Sequence, residues 1–209
     1  FRVFDVTSGA ARASYFHNSL TGYHAAKLGR YNELFDFHIA RNNINVLNML
    51  NTKYIIADDD KGNIFPYENE DTNGNAWFVS EVKQVGSANE ELTGLESLDN
   101  KNIAITTQSI SKRNFTVDST ASISITEYKP NYLKYKSNNN NDGFAVFSEI
   151  YYADGWQAFI DEKAVPHYRV NYVLRALEIP KGNHTIEFKF EPKVIQTGSS
   201  IALASSILL

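Results

Sequence analysis

Residues 144–192 decide the fold of this chain, and they read FAVFSEIYYADGWQAFIDEKAVPHYRVNYVLRALEIPKGNHTIEFKFEP. Short apolar runs are separated by residues that favour tight turns, at 153–155, 161–163 and 180–183. In the last run His184, Ile186, Phe188 and Phe190 share one face of a strand, and alternate polar residues share the other. The stretch predicts antiparallel hairpins, with Phe144–Tyr152 as a central strand covered on both sides.

The residues on either side of this central strand extend the sheet. Residues 121–128 and 131–136 are predicted to be strands, and the polar run Asn138–Gly143 links them to the central strand. Further strands are predicted at 156–160 and 172–179. We therefore predict an antiparallel, jelly-roll-like β-sandwich over residues 111–192.

The first half of the chain mixes helices with strands. The predicted strands are at 1–6, 53–57, 76–82 and 101–107. The predicted helices are at 10–16 with Ser8 as N-cap, at 21–40 and at 44–50, and Ser87 with Glu90 forms a capping box that opens another. Residues 1–110 are thus a mixed α/β portion with amphipathic helices, and the fold class of the chain is α+β. The boundary between the two portions is predicted at Gln108–Lys112.

Composition excludes several functions. The 209 residues are 43% hydrophobic, which is enough for a sizeable core. The net charge is -4, and no basic run is interleaved with aromatic residues, so we predict no nucleic-acid partner. The absence of cysteine excludes disulfides and a cysteine nucleophile. Because the chain opens on Phe1 without a signal peptide, we expect it to be a segment of a longer protein.

The C-terminal residues carry no charge from Val194 to Leu209, and their apolar content rises toward the end. A membrane-spanning helix needs about 20 mostly apolar residues, so this segment fits the first part of one. The alternative is a helix or strand that packs on the core, which the polar residues of the segment also suit.

The sequence contains no complete catalytic constellation, and we predict no catalytic residue, no metal site and no cofactor. The acidic loop at 58–63 has its glycine too early for an EF-hand, which favours a solvated turn. Trp156 is either a core residue or a platform for stacking a sugar ring. The run Asn138–Gly143 is either a plain turn or a source of amide ligands for sugar hydroxyls. The candidate ligand-binding residues are Trp156, Tyr151, Tyr152, Asn139 and Asp142.

Several short motifs occur in order along nearly the whole chain. They are Ser14–His17, Gly22–Leu28 with Arg30-Tyr31, Val46–Ile56, Gly74–Val79, and Gly155-Trp156 through Arg175-Ala176 to Lys181–His184. In this order they resemble the C-terminal extracytoplasmic region of the YfhO family of bacterial membrane proteins. The loop Glu70–Asn73 departs from the family, in which a proline-containing run is expected before Gly74.

The resemblance implies a domain on the extracytoplasmic side of the bacterial cytoplasmic membrane, between the transmembrane helices of a polytopic protein. Such proteins are similar to lipid-phosphosugar-dependent glycosyltransferases, whose catalytic acids are expected in the membrane-embedded part. Residues 193–209 would then start the next transmembrane helix. The motif at 15–30 is interpreted as a surface that docks on the membrane domain or on a lipid-linked donor. Its residues are Tyr15, His17, Tyr23, His24, Lys27 and Arg30.

The resemblance therefore predicts an accessory domain that supports or guides glycosyl transfer to cell-envelope glycan. The fragment itself would be non-catalytic. Its partners would be the membrane domain of the same polypeptide and an envelope glycan or lipid-linked sugar. The alternative is a structural module that braces the membrane helices without binding sugar. An independent hydrolase is disfavoured, because the sequence offers neither a nucleophile nor a positioned pair of acids.

Overall fold

The structure, a computed structural model, describes residues 1–7, 11–22 and 26–208. In this part of the chain helices and sheets combine into the predicted α+β fold, and most of the strands follow residue 120. The predicted N-cap Ser8 lies outside the described residues.

The N-terminal portion begins with a small sheet. Strand β1 (Arg2–Asp5) runs parallel to β2 (Thr52–Asp58), which pairs antiparallel with β3 (Ile64–Glu68). Between β1 and β2 lie 3-10 turns at Ala13–Tyr15 and Ile39–Arg41, helix α1 (Gly29–Phe37) and helix α2 (Ile44–Met49). Asn43 caps α2, because its side-chain oxygen accepts the backbone N–H groups of the first turn.

A second group of elements follows β3. These elements are β4 (Ala76–Val79), β5 (Glu81–Gln84), α3 (Ala88–Gly94) and β6 (Ile103–Thr106), with β5 and β6 parallel. The Ser87 hydroxyl accepts the backbone N–H of Glu90 at 3.2 Å. The Glu90 carboxylate in turn accepts the Ser87 hydroxyl and the Gly86 N–H. The predicted capping box is confirmed.

Two antiparallel sheets form the sandwich. The first has the order β12 (Tyr168–Val170), β13 (Leu174–Ile179), β9 (Gly143–Ile150) and β4. The second has the order β11 (Lys163–Val165), β10 (Trp156–Ile160), β14 (Gly182–Phe190), β8 (Tyr132–Asn139) and β7 (Ser122–Lys129). Their inner faces meet at Phe147, whose ring centroid lies 4.9 Å from those of Tyr135 and Phe188.

Strand β9 lies between two hydrophobic cores. Phe144 and Val146 belong to a core shared with the N-terminal portion, whereas Ala145 and Phe147 belong to the core inside the sandwich. Both faces of the strand are buried, which confirms the prediction of a central strand covered on both sides.

Several predicted elements differ from the observed ones. Instead of a helix from 21 to 40, α1 begins at Gly29, because Leu28 has an extended backbone at ψ 125°. Residues 23–25 lie outside the described residues. The strand predicted at 76–82 is divided between β4, which joins β9, and β5, which joins β6. Strand β3 was not predicted, because its residues are exposed and Pro66 argues against a strand.

The last element is helix α4 (Lys193–Leu208). Every side chain that is described on it is exposed, including Val194, Ile195, Ile201 and Leu203. None of the helices in the described part of the chain combines the length and the hydropathy that a membrane span requires.

The β10–β11 hairpin is tied to β14 by an ion pair, which makes stability depend on pH. Asp161 Oδ2 lies 2.6 Å from His184 Nδ1, and this contact raises the pKa of His184 and lowers the pKa of Asp161. The stabilisation from His184 is present below its ordinary pKa of 6.5 and is lost as pH rises through its raised value. The stabilisation from Asp161 is lost as pH falls through its own lowered value.

We predict that Asp161→Asn returns the pKa of His184 toward its ordinary value, measured by NMR titration of the imidazole protons. Thermal unfolding at about pH 5 and about pH 9 should then show a smaller stability difference than in the parent chain. Asp154→Asn, which changes an acid in the exposed turn before β10, is the control. An unchanged His184 pKa in Asp161→Asn would contradict the prediction.

Candidate functional site

The candidate site lies at one end of the sandwich, which we call the α4 end. Here β9 finishes at Ile150, β10 begins at Trp156, and β14 finishes at Phe190 shortly before α4. Trp156 and Phe190 face each other across the β10–β14 pair, with ring centroids 5.3 Å apart. The ring of Tyr152 lies 6.4 Å from that of Phe190, so the residues that follow β9 belong to this end.

A cleft of about 610 Å³ opens at the α4 end, between α1, the segment 19–22 and the end of β9. Most of its lining is apolar, with Leu20, Leu28, Phe35 and Ile150 among the residues that line it. The Tyr31 hydroxyl donates to the Leu20 carbonyl at 2.9 Å, and burial raises its pKa to about 12, so the phenol stays neutral. The cleft can hold a hydrocarbon chain.

A smaller pocket of about 180 Å³, which we call the arginine pocket, adjoins the cleft and shares Leu28, Tyr31 and Ile150 with it. Arg30 and Arg169 line this pocket, and their guanidinium nitrogens lie 3.4 and 3.9 Å from the carboxylate of Glu91. A second carboxylate, that of Glu33, accepts the Tyr172 hydroxyl beside this pocket, so the two guanidinium groups are matched by two carboxylates.

Glu91 is the buried centre of this arrangement. Its carboxylate also accepts the backbone N–H of Tyr172 at 3.0 Å, so it joins α3 to the turn before β13. Burial raises the pKa of Glu91, whereas the Tyr172 N–H and the two arginines act in the opposite direction. Glu91 therefore fixes the positions of both guanidinium groups.

Arg175 packs against the aromatic residues of the α4 end. It is only 2% exposed, and its guanidinium carbon lies 3.9 Å from the centroid of the Trp156 ring. Its Nε donates to the Ile150 carbonyl at 3.0 Å. Burial lowers the pKa of Arg175 to about 10, so it remains charged at neutral pH. One face of the indole is therefore covered by a cation, and a ligand could stack only on the other.

The predicted ligand-binding residues fall at opposite ends of the sandwich. Tyr151, Tyr152 and Trp156 lie at the α4 end, whereas Asn139 and Asp142 precede β9 at its other end, about 23 Å away by the rise of the strand. The Asn139 amide donates to the Pro180 carbonyl, and Asp142 accepts the Lys181 N–H at 2.9 Å. These two side chains close the turns at that end.

The predicted docking residues are only partly brought together. Tyr15 is 84% exposed and His17 is also exposed, while Lys27 lines the cleft and Arg30 the arginine pocket. Tyr23 and His24 lie outside the described residues. In the part that is described, no three histidine or acidic side chains are grouped as metal ligands.

Sequence reasoning missed Glu91, Arg169 and Arg175. One signal could have identified Glu91, because it precedes Leu95 and Leu98 by four and seven residues and therefore shares their apolar helix face. A carboxylate on a buried face requires cationic or N–H partners. The identity of those partners, which come from distant strands, had no signal in the sequence.

The exposed apolar side chains of α4 are typical of a surface that contacts lipid or another protein. A family model described as bacterial membrane protein YfhO matches residues 93–202, which is just over half of the chain. The chain therefore belongs to the YfhO family, as its motifs predicted. No match was found among curated proteins or among solved structures.

We predict that Glu91→Leu lowers the free energy of unfolding by about 2 to 3 kcal/mol, because it leaves a buried N–H unsatisfied and two guanidinium groups unpaired. Glu91→Gln keeps an acceptor for the Tyr172 N–H and should cost less. Urea unfolding followed by circular dichroism measures both. Glu96→Leu changes an exposed acid just beyond the same helix and serves as the control. Equal losses in Glu91→Leu and Glu96→Leu would show that the buried contacts contribute nothing.

Proposed function

We propose that this chain is an extracytoplasmic accessory domain of a YfhO-family membrane protein and that it supports glycosyl transfer to cell-envelope glycan by holding a lipid-linked sugar donor. The observation that carries the proposal is the junction at the α4 end of an apolar cleft, which has Lys27 on its lining, with the arginine pocket. A lipid-linked sugar combines a hydrocarbon chain with a phosphate, and each part has a matching region.

The orientation of the domain supports this proposal. Helix α4 carries no charge after Lys193, and its described apolar side chains are all exposed. Exposed apolar surface of this kind is stable only against lipid or another protein. We propose that α4 enters the membrane as the start of a span. The α4 end then faces the bilayer, with Lys193 at the level of the head groups.

The charges at the α4 end suit a phosphate. Lys27 lies on the lining of the cleft, and Arg30 and Arg169 lie behind the shared wall formed by Leu28 and Ile150. A phosphate is bound most strongly by arginine, whose N–H groups match its oxygens. In the proposed complex the hydrocarbon chain occupies the cleft, the phosphate meets these cations, and the sugar remains accessible to the acceptor.

The proposal predicts that the 209-residue chain, kept in detergent micelles, binds a polyprenyl phosphate at least about tenfold more tightly than the matching polyprenol. Lys27→Glu and Leu28→Asp should each weaken phosphate binding by about tenfold, because each brings a carboxylate toward the lipid phosphate. Titration followed by native mass spectrometry measures the affinities. Lys61→Glu, which makes the same charge change in an exposed turn, is the matched control.

Equal binding of the phosphate and the alcohol, or no binding of either, would contradict the donor role and leave the bracing module as the better explanation. The cellular test uses the full-length membrane protein with Lys27→Glu. At an unchanged protein level, the donor role requires reduced glycosylation of the envelope. Under the bracing role glycosylation would be unaffected.

A further inference from the structure

The outer face of the five-stranded sheet is a second organised surface. Leu133, Tyr135, Ile186 and Phe188 point into the sandwich core, so the alternate residues of β8 and β14 point outward. Most outward side chains on these strands are exposed or half-buried. We call this surface the outer sheet face. Its described residues are Ser122, Ser124, Glu127, Lys129, Tyr132, Lys134, Lys136, Asn138, Gln157, Phe159, Asn183, Thr185, Glu187 and Lys189.

Glu187 links neighbouring side chains at the centre of the outer sheet face. It is only 9% exposed although it points away from the core. The Tyr132 hydroxyl donates to its carboxylate, and Lys189 Nζ lies 3.5 Å from its other oxygen. The hydrogen bond lowers the pKa of Glu187 and raises the pKa of Tyr132 to about 12. The carboxylate is therefore charged and the phenol protonated at neutral pH.

Two aromatic rings are positioned by this network. Phe159 lies directly opposite Glu187 in the β10–β14 pair, and the Lys189 ammonium sits 4.7 Å from its ring centroid. Tyr132 lies opposite Lys189 in the β8–β14 pair. Half-buried rings on the face of a sheet offer apolar surface to sugar rings.

The outer sheet face is positive, although the whole chain has a net charge of -4. Two of its lysines are paired, since Lys129 contacts Glu127 and Lys189 contacts Glu187. Lys136 lies opposite Ser124 and Thr185, whereas Lys134 lies opposite Glu127 and Glu187, and neither lysine forms an ion pair within 4 Å among the described residues. They are two residues apart on β8, which separates them by about 7 Å along the strand.

We propose that the outer sheet face binds a glycan chain that carries anionic groups, either phosphate or carboxylate. Tyr132 and Phe159 contact sugar rings, and Lys134 with Lys136 pairs with the anions. Asn138, Asn183 and Thr185 offer hydrogen bonds to hydroxyl groups. This inference deepens the proposed function, on which it rests for the supply of envelope glycan, by giving the acceptor its own surface.

The fit favours a glycan over other occupants. A purely apolar partner would cover Lys134 and Lys136 without giving either ammonium group a counter-charge. A nucleic acid requires a denser set of cations than two unpaired lysines.

The test uses the 209-residue chain in detergent micelles with fluorescent dextrans of equal length. One dextran is carboxymethylated, one is phosphorylated and one is unmodified, and binding is followed by fluorescence anisotropy. At least one anionic dextran should bind at least about tenfold more tightly than the neutral one, and its affinity should fall when salt is raised from about 50 to about 200 mM. The two anionic dextrans separate phosphate from carboxylate as the preferred group.

Lys134→Gln combined with Lys136→Gln should weaken binding of the preferred dextran by at least about tenfold. The matched control combines Lys61→Gln with Lys83→Gln, two exposed lysines outside the face. Phe159→Ser should weaken dextran binding but leave binding of polyglutamate, which has no sugar rings, unchanged. The proposal is overturned if all three dextrans bind alike, if none binds, if polyglutamate equals the anionic dextrans, or if the control loses as much affinity.

The same variants separate this proposal from the donor role. Lys134→Gln with Lys136→Gln should leave polyprenyl phosphate binding unchanged, and Lys27→Glu should leave dextran binding unchanged. Loss of dextran binding alone therefore tests the outer sheet face, and loss of lipid binding alone tests the cleft.

Discussion

Burial of strand β9 on both faces is the constraint on which the rest of the structure depends. Phe144 and Val146 fill the core shared with the N-terminal portion, and Phe147 fills the core of the sandwich. The Ser148 hydroxyl, which would be costly to bury unpaired, donates to the Met49 carbonyl at 2.8 Å and fastens α2 to the strand. Because β9 ends at Ile150, the cleft and the arginine pocket both form around that residue.

The sequence was most informative where local periodicity coincides with burial. Strands β8, β9, β10 and β14 are short apolar or alternating runs bounded by turn residues. The bounds of each were predicted within a few residues. The capping box of α3 was found because both partners are close in sequence. Predictions failed where distant contacts decide the structure. The split between β4 and β5 depends on which neighbour each strand pairs with, and β3 has no buried face to reveal it.

The candidate site was harder to predict than the fold. Lys27 and Arg30 were identified through motif resemblance, but the counter-charge of Arg30 lies 61 residues away on α3, and only the folded chain shows that Glu91 joins it to Arg169. Asn139 and Asp142 have ligand-like chemistry, yet their hydrogen bonds to the turn at Pro180 and Lys181 give them a role in the fold. Glu187 lies on the polar face of its strand, yet Tyr132 and other neighbours on the sheet bury it. The alternation of polar and apolar residues does not indicate this burial.

The distribution of charge connects the two proposed ligands. Because the chain is acidic overall while the outer sheet face is positive, the proposed anionic glycan would be repelled from the remaining surface and directed to that face. Strand β8 runs from Tyr132, opposite Lys189 next to Phe190, toward Asn138 at the other end of the sandwich. A chain that follows β8 therefore has one end at the α4 end, the end that carries the cleft. Under the two proposals, a donor held in the cleft and an acceptor on the sheet would thus approach each other at the α4 end.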